Sequence, residues 1–149
     1  MIIGVPRERK TLEKRVALTP DGAAELTKRG HTVLIEKNAG AGSFFSDDDY
    51  SSVGCEIAST LTSVWSRAEL IVKVKEPHEE EYSLFRPGLA LFDYLHLASM
   101  PEVAEKLLSA KVTGIAYELV QTNDRRLPLL EPMSEVAGKL SVLNGSYSL

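Results

Sequence analysis

Apolar residues fall along this chain in short blocks, separated by polar segments that carry helix punctuation. Five blocks are rich in β-branched and aromatic side chains and predict strands: 2–6 (IIGVP), 31–36 (HTVLIE), 70–75 (LIVKVK), 89–97 (LALFDYLHL) and 112–118 (VTGIAYE). The segments between them predict helices. Thr19 reads as an N-cap, with Pro20 in the first turn and Gly30 just past the end. Ser46 opens a second helix with three aspartates, which suit the positive end of its dipole, and Gly54 closes it. Ser99 or Met100 caps a third, with Pro101 in its first turn and lysines near its end. This alternation predicts an α/β fold: a Rossmann-like (flavodoxin-like), largely parallel sheet with helices on both faces.

In such a sheet ligands bind beyond the carboxyl ends of the strands. Lys75 ends one predicted strand, His96 lies near the end of the next, and Glu118 ends the one after. The three are about one βα unit apart and should project from one rim. Tyr94 shares parity with His96, so both face one side of their strand. Arg15 lies in the loop after the first strand, on the same rim.

The composition narrows what this rim can serve. A length of 149 residues fits one domain. A net charge of −4 argues against nucleic acid or an anionic membrane as the main partner. The single cysteine, Cys55, rules out an internal disulfide and a cysteine-built metal site, and reads as a small buried hydrophobe. No apolar run approaches the roughly 18–20 residues of a membrane span. The first ten residues do not make a signal peptide, because their apolar stretch is too short and basic residues follow it. A cytoplasmic protein is expected. Gly40 and Gly42 echo a nucleotide loop but lack the third glycine and the following helix, so they read as a turn. His78 lies among glutamates, in what reads as a solvated acidic loop rather than a metal site. His31 has no identifiable partner.

The rim residues suit a small 2-oxo or 2-amino acid. Arginine offers a planar fork to a carboxylate, lysine can polarise a carbonyl oxygen, and histidine exchanges a proton near neutral pH. None accepts electrons, so a redox step needs a cofactor. Taken singly, each residue also has a structural reading: edge charge for Lys75, a hydrogen-bonded histidine for His96, a solvated charge for Arg15, packing for Tyr94, and a loop cap for Glu118.

With these residues in place, the chain resembles the N-terminal part of the alanine dehydrogenases. The resemblance runs essentially end to end, through IGVPRERKTLEKRVALTPDGAAEL, GHTVLIEKNAGAGSFFSDDDY, LIVKVKEP, YLHLA, GIAYE and PLLEPMSEVAG. It implies a pyruvate or L-alanine site at Arg15, Lys75, Tyr94, His96 and Met133. Arg15 and Lys75 would hold the carboxylate and oxygen, His96 would donate and accept the proton, and Tyr94 and Met133 would shape the pocket. The related transhydrogenase subunit typically has asparagine and tryptophan where Lys75 and His96 stand; saccharopine dehydrogenase matches less well. The resemblance divides the chain into a substrate-binding part, 1–137, and the start of a helix, 138–149, that leads to a nucleotide-binding domain. That domain holds NAD and is absent here, as no G-x-G-x-x-G follows a strand. The expectations are a truncated chain with no activity alone, drawn from a homo-oligomeric enzyme and exposing apolar surface through which it could self-associate. The alternative is a free-standing oxo-acid-binding module or a transhydrogenase-like fragment.

Overall fold

Each predicted strand forms, and a sixth joins them. A computed structural model describes residues 1–148. The elements run β1 (Ile2–Val5), α1 (Pro20–Lys28), β2 (Thr32–Glu36), α2 (Asp47–Ser52), β3 (Glu56–Ala58), α3 (Leu61–Arg67), β4 (Leu70–Lys75), α4 (Glu79–Tyr82), β5 (Ala90–Tyr94), α5 (Pro101–Ser109), β6 (Thr113–Ala116) and α6 (Glu131–Ser148). All neighbouring strands pair in parallel, in the order β3-β2-β1-β4-β5-β6. Of the doubly wound orders this is the Rossmann one, which reverses direction between β1 and β4.

Both faces of the sheet are covered, as expected. On one, α3 and α5 bury Val64, Trp65, Val103 and Leu107 against Ile71, Leu91 and Leu95. On the other, α1 and α2 bury Ala23 and Tyr50 against Ile3, Val5, Val33 and Ile35. The Tyr50 hydroxyl donates to the Leu18 carbonyl at 2.8 Å. Gly4 allows α3 to sit this close, because a Cβ there would fall 2.8 Å from both Ala68 and Val64.

The helix starts follow the predicted chemistry. The Thr19 hydroxyl accepts from Gly22 N, and Ser46 with Asp49 forms a reciprocal capping box. Met100 takes the third cap position. The strands are shorter than their apolar blocks: β5 stops at Tyr94, leaving His96 in the following loop, and β6 stops at Ala116. The acidic stretch at 76–82 departs further from expectation. His78 precedes the short helix α4, and its N–H donates to Glu81 at 2.7 Å, while the Glu81 side chain is fully buried rather than solvated. The final helix begins at Glu131 and runs unbroken through positions 137 and 138. Leu149, the last residue of the predicted tail, lies outside the described residues. No described helix is long and apolar enough to cross a membrane. Apolar side chains are exposed on α6 (Val136, Leu140, Leu143) and around β6 (Ile115, Leu119), as anticipated.

Candidate functional site at the strand-order switch

Residues at or just beyond the carboxyl ends of β1, β4 and β5 lie beside the point where the strand order reverses. Simple alternation would place Lys73 and Lys75 on the same face of β4. The register departs from simple alternation: Val72 pairs with Phe92 and Lys75 pairs with Tyr94, so Lys73 and Val74 together stand against Asp93. The resulting bulge brings Lys75 into register with Tyr94, while Val72 and Val74 both line the face that Tyr94 shares. Glu8 accepts hydrogen bonds from the N–H groups of Val74 (2.7 Å) and Lys75 (3.2 Å).

Arg15 reaches the same place from the loop after β1. Its Nε and Nη2 donate to the two oxygens of Glu13 at 2.8 and 2.6 Å, and its Nη1 contacts the Met133 sulfur at 3.2 Å. The Arg15 hydrogen bonds hold the Glu13 carboxyl below the usual range, with a smaller electrostatic contribution from Lys75. A guanidinium has five N–H donors. With those three engaged, one N–H on each terminal nitrogen has no partner among them.

Tyr94 is the common neighbour. Its ring meets that of Tyr117 edge-on, with centroids 5.0 Å apart, and its hydroxyl donates to the Leu129 carbonyl. The His96 imidazole stacks on it, with centroids 5.9 Å apart and planes 11° from parallel. His96 adopts a left-handed backbone conformation, φ 49°. That turn is pinned at both ends: the His96 N–H donates to Glu118 at 2.7 Å, and its carbonyl accepts from the N–H of Ser99 at 2.9 Å. Glu118 therefore fixes the turn beneath the imidazole instead of facing outward as a rim ligand.

Arg15, Tyr94 and Met133 line one cavity of about 690 Å³, floored by Ile3, Leu70, Val72 and Phe92. Lys75 and His96 are not part of its wall; they join the site through Tyr94, one paired with it and the other stacked on it. The structure thus brings Arg15, Tyr94 and Met133 into one cavity, stacks His96 on Tyr94 and sets Lys75 opposite Tyr94 in the ladder.

Sequence reasoning missed the acids behind them. Lys73 is 1% exposed, with its ammonium 2.9 Å from Glu81 and 3.9 Å from Glu8. Asp93 is fully buried, and neither of its carboxyl oxygens has a hydrogen-bond partner. Burial first, and then the nearby carboxylates of Glu8, Glu118 and Glu81, push Asp93 well above the ordinary aspartate range, against the pull of Lys73. The only available signal was the density of acids in the loop RERKTLEKR and in EPHEEEY, and such runs ordinarily read as solvated.

The turn at Gly40 and Gly42 does not fit a dinucleotide. A Cβ at Gly40 would fall 2.7 Å from the Tyr50 ring, and one at Gly42 would fall 2.5 Å from the Lys14 carbonyl oxygen. These glycines make room for the chain itself, within a single turn of 3₁₀ helix at Ala41–Ser43, and leave no cradle for a pyrophosphate.

The family model of the alanine dehydrogenase/PNT N-terminal domain matches residues 4–137. The chain belongs to that family. It is 55% identical over all 149 residues to the alanine dehydrogenases of Staphylococcus haemolyticus and Mycolicibacterium smegmatis, and spans 40% of the length of each. A solved L-alanine dehydrogenase superposes with a TM-score of 0.91 at 48% identity, over 97% of this chain and 40% of that one. A transhydrogenase from Sinorhizobium meliloti is more distant, with a TM-score of 0.75 and 27% identity over 80% of this chain and 35% of that one. Within the family, the likeness is thus stronger to the alanine dehydrogenases.

Proposed function

We propose that this chain is the substrate-binding domain of an NAD-dependent L-alanine dehydrogenase, which converts L-alanine, NAD and water to pyruvate, ammonia and NADH. The carrying observation is the Arg15 guanidinium, which shares one cavity with Met133 and with Tyr94, the residue that pairs with Lys75 across the ladder and stacks on His96. In this reading Arg15 holds the substrate carboxylate through its guanidinium donors. Lys75 donates to the oxygen at C2 and stabilises its developing negative charge. His96 moves the proton at that oxygen. Met133 and Tyr94 close the apolar side around the methyl group. Residues 1–137 form the substrate-binding part, and α6 carries the chain from it towards the nucleotide-binding domain.

NAD supplies the hydride acceptor, and it is held outside these 149 residues. The isolated chain therefore binds substrate without turning it over. The parent enzyme is a homo-oligomer in this reading, and the apolar residues exposed on α6 and around β6 are where the rest of it packs.

The test is a chimaera in which this chain replaces the corresponding N-terminal part of the Staphylococcus haemolyticus relative. L-Alanine-dependent formation of NADH, lost in His96→Ala, is the expected result. A folded chimaera that forms no NADH from L-alanine would overturn the reading.

A further inference from the structure

Glu8 lines no part of the cavity, yet it holds the backbone that presents Lys75. The last pairing between β1 and β4 is Gly4 with Ile71. No β1 backbone is therefore left to receive the amides of Val74 and Lys75, where the bulge has disturbed the ladder towards β5. Glu8, just beyond β1, accepts both with one carboxylate, and its side chain is only 3% exposed. A buried carboxylate in such a place needs a compensating charge, and Lys73 supplies it from the same bulge.

We propose that Glu8 is a positioning residue for Lys75: its carboxylate, charged against Lys73, locks the β4 bulge and holds Lys75 in register with Tyr94. The proposal rests on the reading of Lys75 as a substrate ligand.

The groups facing Glu8 are Lys73 from β4, Glu81 from α4, Asp93 from β5, Tyr117 beyond β6 and Arg15 from its own loop. Burial lifts the Glu8 carboxyl above the ordinary value of 4.5, opposed by Lys73 and by the two amides and reinforced by Glu81. On acidification, the clamp is therefore lost at a higher pH than for a solvated glutamate. A protonated carboxyl is a weaker acceptor, and the bulge amides lose their charge-assisted bonds.

The experiment is a pH titration of the chain followed by NMR at the backbone amides and the glutamate side-chain carboxyls. The expected result is one shared step for Val74 N–H, Lys75 N–H and the Glu8 carboxyl, lying above the ordinary glutamate range and absent from Ile71 and Leu91. Glu8→Gln should abolish the step and weaken pyruvate binding roughly tenfold. Glu8→Asp, which keeps a carboxylate, should restore part of both. No step shared with Glu8, or an unchanged Lys75 amide in folded Glu8→Gln, overturns the proposal. If Glu8→Gln does not fold, the titration of the native chain decides. If the native chain binds no pyruvate, the substrate reading fails, while the amide step still decides what Glu8 does.

Discussion

The imidazole of His96 lies nearly parallel to the ring of Tyr94, with centroids 5.9 Å apart. Shared strand parity predicts that the two face the same way, but His96 stands beyond the end of β5 and keeps that direction only through a left-handed turn. The Glu118 carboxylate and Ser99 hold the turn. Tyr94 is in turn anchored to the Leu129 carbonyl, so the stack ties the rim of the sheet to the segment that carries Met133.

That anchor gives the first prediction. Tyr94→Phe keeps the stack but leaves the Leu129 carbonyl without its partner. The expected cost is about 1 kcal/mol of folding stability, read from the urea midpoint. An unchanged midpoint would show that the hydroxyl contributes nothing.

Lys73 is the cation facing Glu8, Glu81 and Asp93. Lys73→Met removes it and leaves buried carboxylates unpaired, with an expected loss of about 3–5 kcal/mol. Removing the contacting acid as well, in Lys73→Met with Glu81→Gln, should recover much of that loss. Denaturant titration of both variants checks this. A single variant as stable as the native chain would contradict the role given to the ammonium.

Asp93 sets a pH dependence of definite sign. Its folded-state pKa is raised, so between the unfolded value, about 3.9, and the folded one the native state binds more protons than the unfolded state. Stability therefore falls as pH rises through that window, and the loss persists above it. Asp93→Asn removes this titration. The variant should match the native chain near about pH 4 and become progressively more stable than it as the pH rises towards neutral. Urea midpoints across the range test it, and a constant difference between the two proteins at every pH would exclude the mechanism.

The strand–helix alternation was legible because buried parallel strands read as plain apolar runs between helix caps. β3 was not, since its three residues Glu56, Ile57 and Ala58 are too few to show a pattern. The placing of Lys75, Tyr94 and His96 at the ends of neighbouring strands was legible from chain position, but the bulge before Lys75 was not. The alternation of LIVKVK runs unbroken, and only the pairing with β5 reveals the extra residue between Val72 and Lys75. The roles of Glu8, Glu13 and Glu81 were hidden for a related reason. A carboxylate in a charged loop looks solvated until the fold brings an amide, a guanidinium or an ammonium against it.

The central claim, that these 149 residues carry the substrate's binding groups, is tested most directly by isothermal titration of the chain with pyruvate beside Arg15→Ala and Lys75→Ala. The account predicts saturable heat from the native chain and at least roughly tenfold weaker binding in each variant, with near-native urea midpoints. No heat from the folded native chain, or undiminished binding in both variants, would contradict it.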